Sequence, residues 1–453
     1  MAGQSAVCVT VRLRMARQMT DRGPLHPRRV SRRRDNGSRS LIYRSRLWRG
    51  AGVLASAVRA VNVLSGTSLA DHRTEGRRMM PEHLNRGRSH GERGVSGNRR
   101  SPLRLLVFGA GGWAGVWHEH FLPAVADRAK VAALVDQDAT SLSDRAAALG
   151  VPRSATFRSI DEAARALRQG LDVDAAVVVL PPECHRDAIC TAAESGLDVL
   201  TEKPLASDPK AAADIVRAVR SSGVKAQVMQ NYRHYGPIRT ARSVLADGGL
   251  GPLNLLVARF RVDYREPRSW GGNRHDHPHA ALFEAGAHHF DQIRHLTGET
   301  PESVWADEWR PGHATSFSGA PCALVGGVFP SSARFLYEAS AVAAGQQDGW
   351  KRESYRAECA GGTLRVVDSS VLVTVHGPDR TVESEVPVTA PPLTGHRAVI
   401  DEFVTWISGG PAPATRLADN LGTMATIFAA VEAAELRGTV PVARHMAALT
   451  GVG

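Results

Sequence analysis

The stretch LRLLVFGAGGWAG, residues 103–115, decides the fold. A short apolar run leads into a glycine-rich turn, and the segment WHEHFLPAVADRA that follows has the composition of a helix. The small residues match the pattern G-x-G-x-x-A at Gly109, Gly111 and Ala114. The first glycine permits a tight turn, the second lets a pyrophosphate approach the backbone, and the third small residue lets helix pack on strand. Because the free N–H groups of a helix N-terminus attract anions, the stretch predicts a dinucleotide-binding unit.

A second apolar run, VAALVD, ends at Asp136, 25 residues beyond Gly111. A carboxylate at about this separation accepts hydrogen bonds from the hydroxyls of the adenosine ribose. It also repels a 2′-phosphate, and no arginine follows directly, because Gln137 and Asp138 come next. The sequence therefore predicts NAD in preference to NADP.

Beyond this unit, strand-like and helix-like segments alternate along the chain. They are VDAAVVVLPP (173–182), HRDAICTAAESG (185–196), LDVLTEKP (197–204), ASDPKAAADIVRAVRSSG (206–223) and KAQVMQN (225–231). The second helix has Ser207 as its predicted N-cap and Gly223 as its C-terminal stop. Such alternation predicts an α/β fold with a doubly wound parallel sheet, in which ligands bind beyond the carboxyl ends of the strands.

A charged pair, Glu202-Lys203, stands at the carboxyl end of one of these strands. Pro204 biases Lys203 toward an extended backbone and prevents the strand from continuing. Lys203 is therefore predicted to point into the ligand crevice. An ordinary surface lysine at a strand end is the alternative interpretation.

The basic charge of the chain is concentrated at its start. Residues 1–100 hold 22 arginines, no lysine and six acidic residues, a formal charge of +16, whereas the rest holds 34 basic and 39 acidic residues, a charge of −5. We interpret residues 1–100 as a disordered, arginine-rich leader. A nucleic-acid or membrane arm and an export signal are alternatives, but the apolar patch at 51–66 is interrupted by Arg59. A dispensable extension, with Met79 or Met80 as the natural start, is preferred.

The composition excludes several other classes of protein. No run of about 18 apolar residues exists, so we expect no membrane span. The five cysteines form no CxxC pair, which favours a reducing cytoplasm. The mildly acidic body argues against a nucleic-acid partner.

Three further motifs make the chain resemble a known family, the Gfo/Idh/MocA oxidoreductases, which include glucose–fructose oxidoreductase and inositol 2-dehydrogenase. They are VLPPECHRDAICTAAESGLDVLTEKPLA (179–206), NYRHYGPIRTARSVLADGGLGPL (231–253) and LFEAGAHHFDQIRHLTG (282–298). The resemblance implies a Rossmann domain over 101–230 and, over 231–453, an α/β domain with a large, mostly antiparallel open sheet. It also implies a small polyhydroxy substrate and a homo-oligomer, a dimer or tetramer.

The second half independently allows such a sheet. Its strand-like runs are LNLLVARFRVDY, ARFLYEASAV, SYRAECAG, TLRVVDSSVLVTV and TVESEVPV, and a helical segment over 396–437 is broken at SGGPAP. The mixed polarity of these runs suits a sheet with one face covered.

The third motif supplies the catalytic candidates. On a helix, Glu284, His288, Asp291 and His295 form one polar stripe, which would face solvent in the simplest interpretation. The family carries an aspartate and a histidine four residues apart on this helix, facing the nicotinamide. The histidine falls on His288 and the aspartate on Glu284, a departure that keeps the charge. His289, about 100° away around the helix, is predicted to be a packed structural residue.

These residues receive definite roles. His288 is predicted to be the general base and Lys203 to donate to the reacting oxygen, while Glu284 orients the imidazole or receives its proton. The cofactor site is assigned Gly109, Gly111, Gly112, Trp113, Ala114, Asp136, Pro181, His185, Glu202, Lys203 and Asn231. The substrate site is assigned Arg233, Trp270 and Arg274.

The segment GGNRHDHPH, residues 271–279, has the residue types of a metal site. The family needs no metal, and substrate recognition or solvent exposure is preferred, so no metal is predicted.

The predicted function is hydride transfer between a nicotinamide and a carbinol carbon of a sugar, cyclitol or related polyhydroxy compound. A dinucleotide-binding regulatory protein on the same fold is the alternative. The presence of both Lys203 and His288 favours the enzyme. Net oxidation, net reduction and redox-neutral turnover on retained NAD all remain open.

Overall fold

The computed structural model describes residues 102–345 and 347–451. The leader predicted over residues 1–100 lies outside the described residues.

Six parallel strands form the sheet of the first half. They are β1 (Leu103–Phe108), β2 (Ala129–Val135), β3 (Thr156–Phe157), β4 (Ala175–Val178), β5 (Asp198–Thr201) and β6 (Ala226–Val228). Their order is β3-β2-β1-β4-β5-β6, with every pairing parallel. From β1 the chain adds strands toward one edge of the sheet, and from β4 it adds them toward the other edge. Such a switch point leaves a crevice at the carboxyl ends of β1 and β4. The predicted doubly wound parallel sheet is confirmed.

Helices connect these strands and cover both faces of the sheet. They are Gly112–Val116, which continues as a π-turn over Trp117–Phe121, then Ala139–Leu149, Ile160–Arg168, His185–Glu194 and Pro209–Ser222. The prediction of Ser207 as an N-cap was wrong by one residue, because the Asp208 carboxylate accepts the N–H of Ala211 at 2.8 Å. Gly223 ends that helix in the left-handed conformation, φ +67°, as predicted.

A nine-stranded sheet forms the second half. Its strands are β7 (Leu253–Arg261), β8 (Ser303–Trp309), β9 (Cys322–Val328), β10 (Arg334–Ser340), β11 (Ser354–Cys359), β12 (Gly362–Val367), β13 (Ser370–His376), β14 (Thr381–Val386) and β15 (Thr439–Pro441). Their order is β14-β13-β12-β11-β7-β10-β9-β8-β15. The β7–β10 pair is parallel and the other pairs are antiparallel. The mostly antiparallel sheet is therefore confirmed.

One face of this sheet is covered by helices. The helices of the second half are Gly236–Asp247, the short Gly272–Asp276, Gly286–Thr297, Gly395–Ile407, Leu417–Leu436 and Val442–Thr450. Along β10 and β11 buried and more exposed side chains alternate, because successive residues of a strand point to opposite faces. No helix of the described ranges is long and apolar enough to cross a bilayer.

The Gly286–Thr297 helix fixes the geometry of the site. Its apolar residues Phe290, Ile293 and Leu296 are buried, and the ring of Phe290 contacts that of Tyr337 on β10 with centroids 5.2 Å apart. This packing anchors the helix against the sheet. The side chains at the start of the helix are thereby directed toward the crevice of the parallel sheet.

Candidate active site

A cleft of about 1370 Å³ lies at the carboxyl ends of the parallel strands. The parallel-sheet half contributes the glycine turn after β1, Asp136 after β2 and Lys203 after β5. The second half contributes Trp270, Arg274, Glu284, His288, Trp350, Lys351 and His396. Residues of both halves therefore line one site at the carboxyl ends of the parallel strands, which is the common place for a dinucleotide in an open α/β sheet.

The glycine turn has the geometry that a dinucleotide requires. Gly109 has φ +114°, and a Cβ there would lie 2.4 Å from the backbone oxygen of Val179, so only glycine fits. A Cβ at Gly112 would meet nothing within 4 Å, so the turn faces open space in the cleft. Ala114 is buried beneath it. The residues present therefore fit a pyrophosphate group above Gly112.

Gly111 also lines the cleft, so its predicted role beside a pyrophosphate stays a prediction. A Cβ at Gly111 would lie 2.6 Å from the hydroxyl oxygen of Ser141, on the Ala139–Leu149 helix. The absence of a side chain at Gly111 therefore also lets the Ala139–Leu149 helix approach the turn.

Asp136 lies at the opposite end of the cleft from the catalytic candidates. One carboxylate oxygen accepts the N–H groups of Ala110 and Gly111 at 2.8 and 3.3 Å, and the other accepts that of Asp138 at 2.9 Å. The carboxylate is thus held beside the turn, where an adenosine ribose would lie. Arg158, which the sequence analysis missed, also lines the cleft and donates from Nε to the Gln137 carbonyl at 3.1 Å.

Glu202 and Trp113, both predicted cofactor residues, are joined directly. The indole N–H groups of Trp113 and Trp117 donate to Glu202 Oε1 at 2.6 and 2.9 Å, and the Lys203 N–H donates to Oε2 at 3.0 Å. The side chain of Trp113 is half exposed and lines the cleft. Glu202 therefore ties the helix after β1 to the end of β5.

Two other predicted cofactor residues also line the cleft. Pro181 follows β4, and Asn231 lies within 3.2 Å of His396 Nδ1 through its side-chain nitrogen. Burial lowers the pKa of His396 to about 4, so its imidazole is neutral near pH 7.

The assignment of His185 to the cofactor surface was wrong. Its ring is fully buried, with Nε2 at 2.9 Å from the Leu180 carbonyl and Nδ1 at 3.0 Å from the Pro204 carbonyl. The side chain points inward between two strand ends and links their backbones. It supports the site without lining the cleft.

Lys203, Glu284 and Arg274 form one charged group at the reaction end of the cleft, with Glu284 buried and the other two partly exposed. Glu284 Oε2 accepts from Lys203 Nζ at 3.3 Å and from Arg274 Nε at 2.9 Å. Burial raises the pKa of Glu284, but the charges and hydrogen bonds of Lys203 and Arg274 outweigh it and hold the pKa at about 2. The ionised carboxylate therefore fixes the Lys203 ammonium, and Arg274 belongs to this group.

His288 lies beside this group. Its ring stacks on Tyr232 with centroids 4.0 Å apart, and its buried Nδ1 has no hydrogen-bond partner among the described residues. Burial, followed by the charge of Lys203, lowers the pKa of His288 well below its usual value of 6.5. A neutral imidazole with an unpaired nitrogen is able to accept a proton, and an unpaired buried polar atom points to a missing ligand.

The predicted polar stripe divides into two parts. Glu284 lies in the π-turn Ala281–Ala285 and, with His288, lines the cleft. Asp291 instead pairs with Arg233 inside the protein. No hydrogen bond joins Glu284 to His288 in the described ranges, so the expectation that Glu284 orients the imidazole is not met.

Arg233 was wrongly predicted to contact the substrate. Its guanidinium is buried and donates to both carboxylate oxygens of Asp291 at 2.6 Å and to Asp419 at 2.5 Å. Both acidic partners come from helices of the second half. Their carboxylates accept hydrogen bonds from the Arg233 guanidinium, so this side chain is engaged inside the protein. Trp270, by contrast, lines the cleft and stacks on Tyr264 with centroids 5.2 Å apart.

The histidine-rich segment before the catalytic helix is held by protein contacts. His275 Nε2 lies 2.9 Å from the Tyr264 carbonyl, and His279 Nδ1 lies 2.7 Å from Glu308. Within the described part of the chain, no three His, Cys, Asp or Glu side chains are grouped to hold a metal ion.

Five further residues of the reaction end were missed by the sequence analysis. They are Tyr232, Tyr235, Trp350, Lys351 and His396. Tyr232 and Tyr235 lie within the second motif, so the motif itself was a usable signal. Trp350 and Lys351 follow β10 in a connection with no recognisable pattern.

The fold and the site together define a class, the dinucleotide-dependent oxidoreductases built from a Rossmann domain and a second α/β domain. The model of an oxidoreductase family with an NAD-binding Rossmann fold matches residues 103–230, and that of the GFO/IDH/MocA C-terminal domain matches residues 238–365. The chain belongs to the GFO/IDH/MocA oxidoreductase family, so the resemblance and the predicted enzyme class are confirmed.

Individual relatives agree with this assignment. An uncharacterised protein of Sinorhizobium fredii is 31% identical over 348 residues, covering 75% of this chain and 95% of the relative. Inositol 2-dehydrogenase 1 of Paenarthrobacter aurescens is 31% identical over 203 residues, covering 45% of this chain and 56% of the relative. The structure of an aldose–aldose oxidoreductase from Caulobacter crescentus has a TM-score of 0.64 at 23% identity, covering 75% of this chain and 99% of that one.

Proposed function

We propose that this enzyme is an NAD-dependent dehydrogenase acting on a carbinol carbon of a sugar, cyclitol or related polyhydroxy substrate. One observation carries the proposal: a neutral, buried His288 with an unpaired nitrogen lies in the same cleft end as the Lys203 ammonium. Similarity to an inositol 2-dehydrogenase and to an aldose–aldose oxidoreductase supports the proposed substrate class.

His288 would act as the general base. Oxidation of an alcohol requires that a base remove the hydroxyl proton as hydride leaves the same carbon. NAD, when bound along the cleft, supplies the hydride acceptor at its nicotinamide. The depressed pKa of His288 keeps the imidazole unprotonated at neutral pH, so it is ready to accept that proton. In the reverse direction the protonated imidazole returns the proton.

Lys203 would stabilise the charge on the reacting oxygen. Its ammonium is held by Glu284, and a fixed donor aimed at developing charge needs no reorganisation during the reaction. Glu284 and Arg274 are therefore positioning residues, because Glu284 holds Lys203 and Arg274 holds Glu284. Their contacts explain why a glutamate serves here, since its carboxylate bridges two cations.

Asp136, Gly112 and Trp113 would hold NAD. The carboxylate beside the turn suits the ribose hydroxyls and repels a 2′-phosphate. Arg158 lies near enough to moderate that repulsion, so we propose a preference for NAD that is not absolute.

The open face of the nine-stranded sheet would form a homo-oligomer. Trp305 and Trp309 on β8 are 44% and 39% exposed, and large exposed aromatic residues commonly mark interfaces. Light scattering on the purified protein tests this, with a dimer or tetramer expected and a monomer contradicting it. The four described cysteines are free thiols, which supports a cytoplasmic location.

A substrate panel tests the function. Polyols, cyclitols and aldoses are incubated with NAD or NADP, and reduced nicotinamide is followed by its absorbance. We expect turnover with at least one cyclic polyhydroxy compound and its loss in His288→Ala. Cofactor binding without turnover on any member, in either direction, would contradict the proposal.

A further inference from the structure

An aromatic wall lines the substrate side of the reaction end. The ring of Trp350 lies 5.9 Å from that of His288, 6.4 Å from that of Tyr232 and 6.0 Å from that of Trp270, centroid to centroid. Flat apolar surfaces with a few placed polar groups are typical of sites that bind small ring compounds. Because Trp350 lies beside His288, the proposed base, this aromatic wall would bind the substrate ring that carries the reacting hydroxyl.

Lys351 brings an uncompensated positive charge to the same place. Lys203 and Arg274 share the Glu284 carboxylate. Lys351 is exposed and also lines the cleft. Its ammonium lies 5.3 Å from the centre of the Tyr235 ring and has no ion-pair partner among the described residues. A lysine without an ion-pair partner beside the aromatic wall favours an anionic group on the substrate.

The backbone at Lys351 is held in a defined turn. Its φ is +67°, a left-handed conformation that costs energy for a lysine, and its N–H donates to Glu353 Oε1 at 2.9 Å. The preceding Trp350 donates its indole N–H to the Tyr264 hydroxyl at 2.5 Å. The turn therefore presents the aromatic ring and the ammonium together.

His396, which lines the same cleft, is affected by both lysines. After burial and the opposing effect of Glu202, the charges of Lys351 and Lys203 both lower the pKa of His396. The two lysines therefore act on the same histidine from the cleft. Lys203, Lys351 and His396 all line this one cleft.

We infer that the substrate is a cyclic polyhydroxy compound that carries a carboxylate, such as a sugar acid in its ring form. Its carboxylate pairs with Lys351, its ring packs on Trp350, and its reacting hydroxyl lies at His288 and Lys203. The carbinol carbon loses a hydride to the nicotinamide and its oxygen loses a proton to His288, giving a carbonyl, while the carboxylate is unchanged. This inference rests on the proposed function.

Matched neutral and acidic sugars test it: D-glucose against D-glucuronate, and D-galactose against D-galacturonate. We expect wild-type kcat/KM to be ~10-fold or more higher for the acids, the usual effect of a charged hydrogen bond. Lys351→Gln should lower the acid-to-neutral ratio by ~10- to 100-fold, mainly through KM, and Lys351→Arg should restore much of it. Arg352→Gln, which removes the neighbouring exposed cation, is the matched control and should leave the ratio unchanged.

Direct binding separates this inference from the proposed function. Glucose and glucuronate are titrated into the NAD-loaded protein and followed by tryptophan fluorescence. Glucuronate binding that Lys351→Gln weakens supports the inference, even where no sugar is oxidised and the proposed function fails. Equal binding and turnover of acidic and neutral sugars, or a ratio that Lys351→Gln does not change, would overturn the inference while the dehydrogenase assignment stands.

Discussion

Two neighbouring histidines on one helix lie in opposite surroundings. His288 faces the cleft, stacks on Tyr232 and has an unpaired nitrogen, whereas His289 faces the nine-stranded sheet with Nδ1 at 2.6 Å from the Tyr337 hydroxyl. Both are buried, so burial alone does not distinguish them. What differs is the surroundings of the ring. His288 lines the cleft, whereas Nε2 of His289, which also has no hydrogen-bond partner among the described residues, lies inside the protein 3.5 Å from the Glu353 carboxylate.

The same contrast separates the buried charged groups. Arg233 is saturated by Asp291 and Asp419 and serves to join helices. Lys203 has one carboxylate partner and lines the open cleft. The comparison assigns chemistry to the cleft side of the Gly286–Thr297 helix and stability to its sheet side.

The largest effect is expected for Lys203→Ala, on the cleft side. Loss of the fixed donor removes stabilisation of the charge on the reacting oxygen and leaves Glu284 partly unpaired, so kcat should fall by about 10³-fold or more. NAD affinity should fall only modestly. Steady-state kinetics and a cofactor titration measure the two quantities, with Lys210→Ala, an exposed lysine outside the cleft, as control. Near-normal turnover would remove Lys203 from the mechanism.

His289→Ala probes the sheet side. The change leaves a cavity and an unpaired Tyr337 hydroxyl, so the free energy of unfolding should fall by about 2–4 kcal/mol. Turnover of the folded fraction should remain close to that of wild type. Urea unfolding and kinetics on the same preparation check this. A stable but inactive variant would show that the wrong histidine was assigned to catalysis.

Asp136→Ser tests the far end of the cleft. Removing the carboxylate relieves the repulsion of a 2′-phosphate, so the NADP-to-NAD ratio of kcat/KM should rise on the order of tenfold, equivalent to about one good hydrogen bond. Asp144→Ser, an exposed residue outside the cleft, is the control. A wild-type enzyme that uses NADP more efficiently than NAD would contradict the role given to Asp136.

The smallest effect is expected from removing the leader. Every residue placed in the site lies between Gly109 and His396, so a chain that starts at Met80 should fold with unchanged NAD affinity. Circular dichroism and a cofactor titration compare it with the full chain. Aggregation, or loss of NAD binding, would make the leader part of the functional unit.

Local signals made much of the fold predictable from the sequence. The glycine turn, the apolar strands and the Pro204 boundary each depend on neighbouring residues, and the parallel sheet followed from them. The strands Ser303–Trp309 and Cys322–Val328 were missed. The first exposes Trp305, Asp307 and Trp309 on one face, and the second contains the pair Gly326-Gly327, so neither has the expected pattern.

Only those site residues that lie within a recognised motif could be predicted from the sequence. Lys203 and His288 lie in motifs, and the structure brings both to one cleft. Lys351 lies in the connection between β10 and β11, and His396 lies at the start of the Gly395–Ile407 helix. Both reach the cleft through tertiary packing of distant segments, which no local pattern reveals. Arg233 was misassigned for the same reason, because its partners lie 58 and 186 residues away in the chain.

The most direct test of the account compares kcat and NAD affinity in His288→Ala and wild type, with His289→Ala beside them. A general base is worth about 10²–10⁴ in rate, so His288→Ala should lose that much turnover while NAD binds as before. Near-normal turnover of a folded His288→Ala enzyme would contradict the assignment of the base, and with it the division of the helix into a chemical side and a structural side.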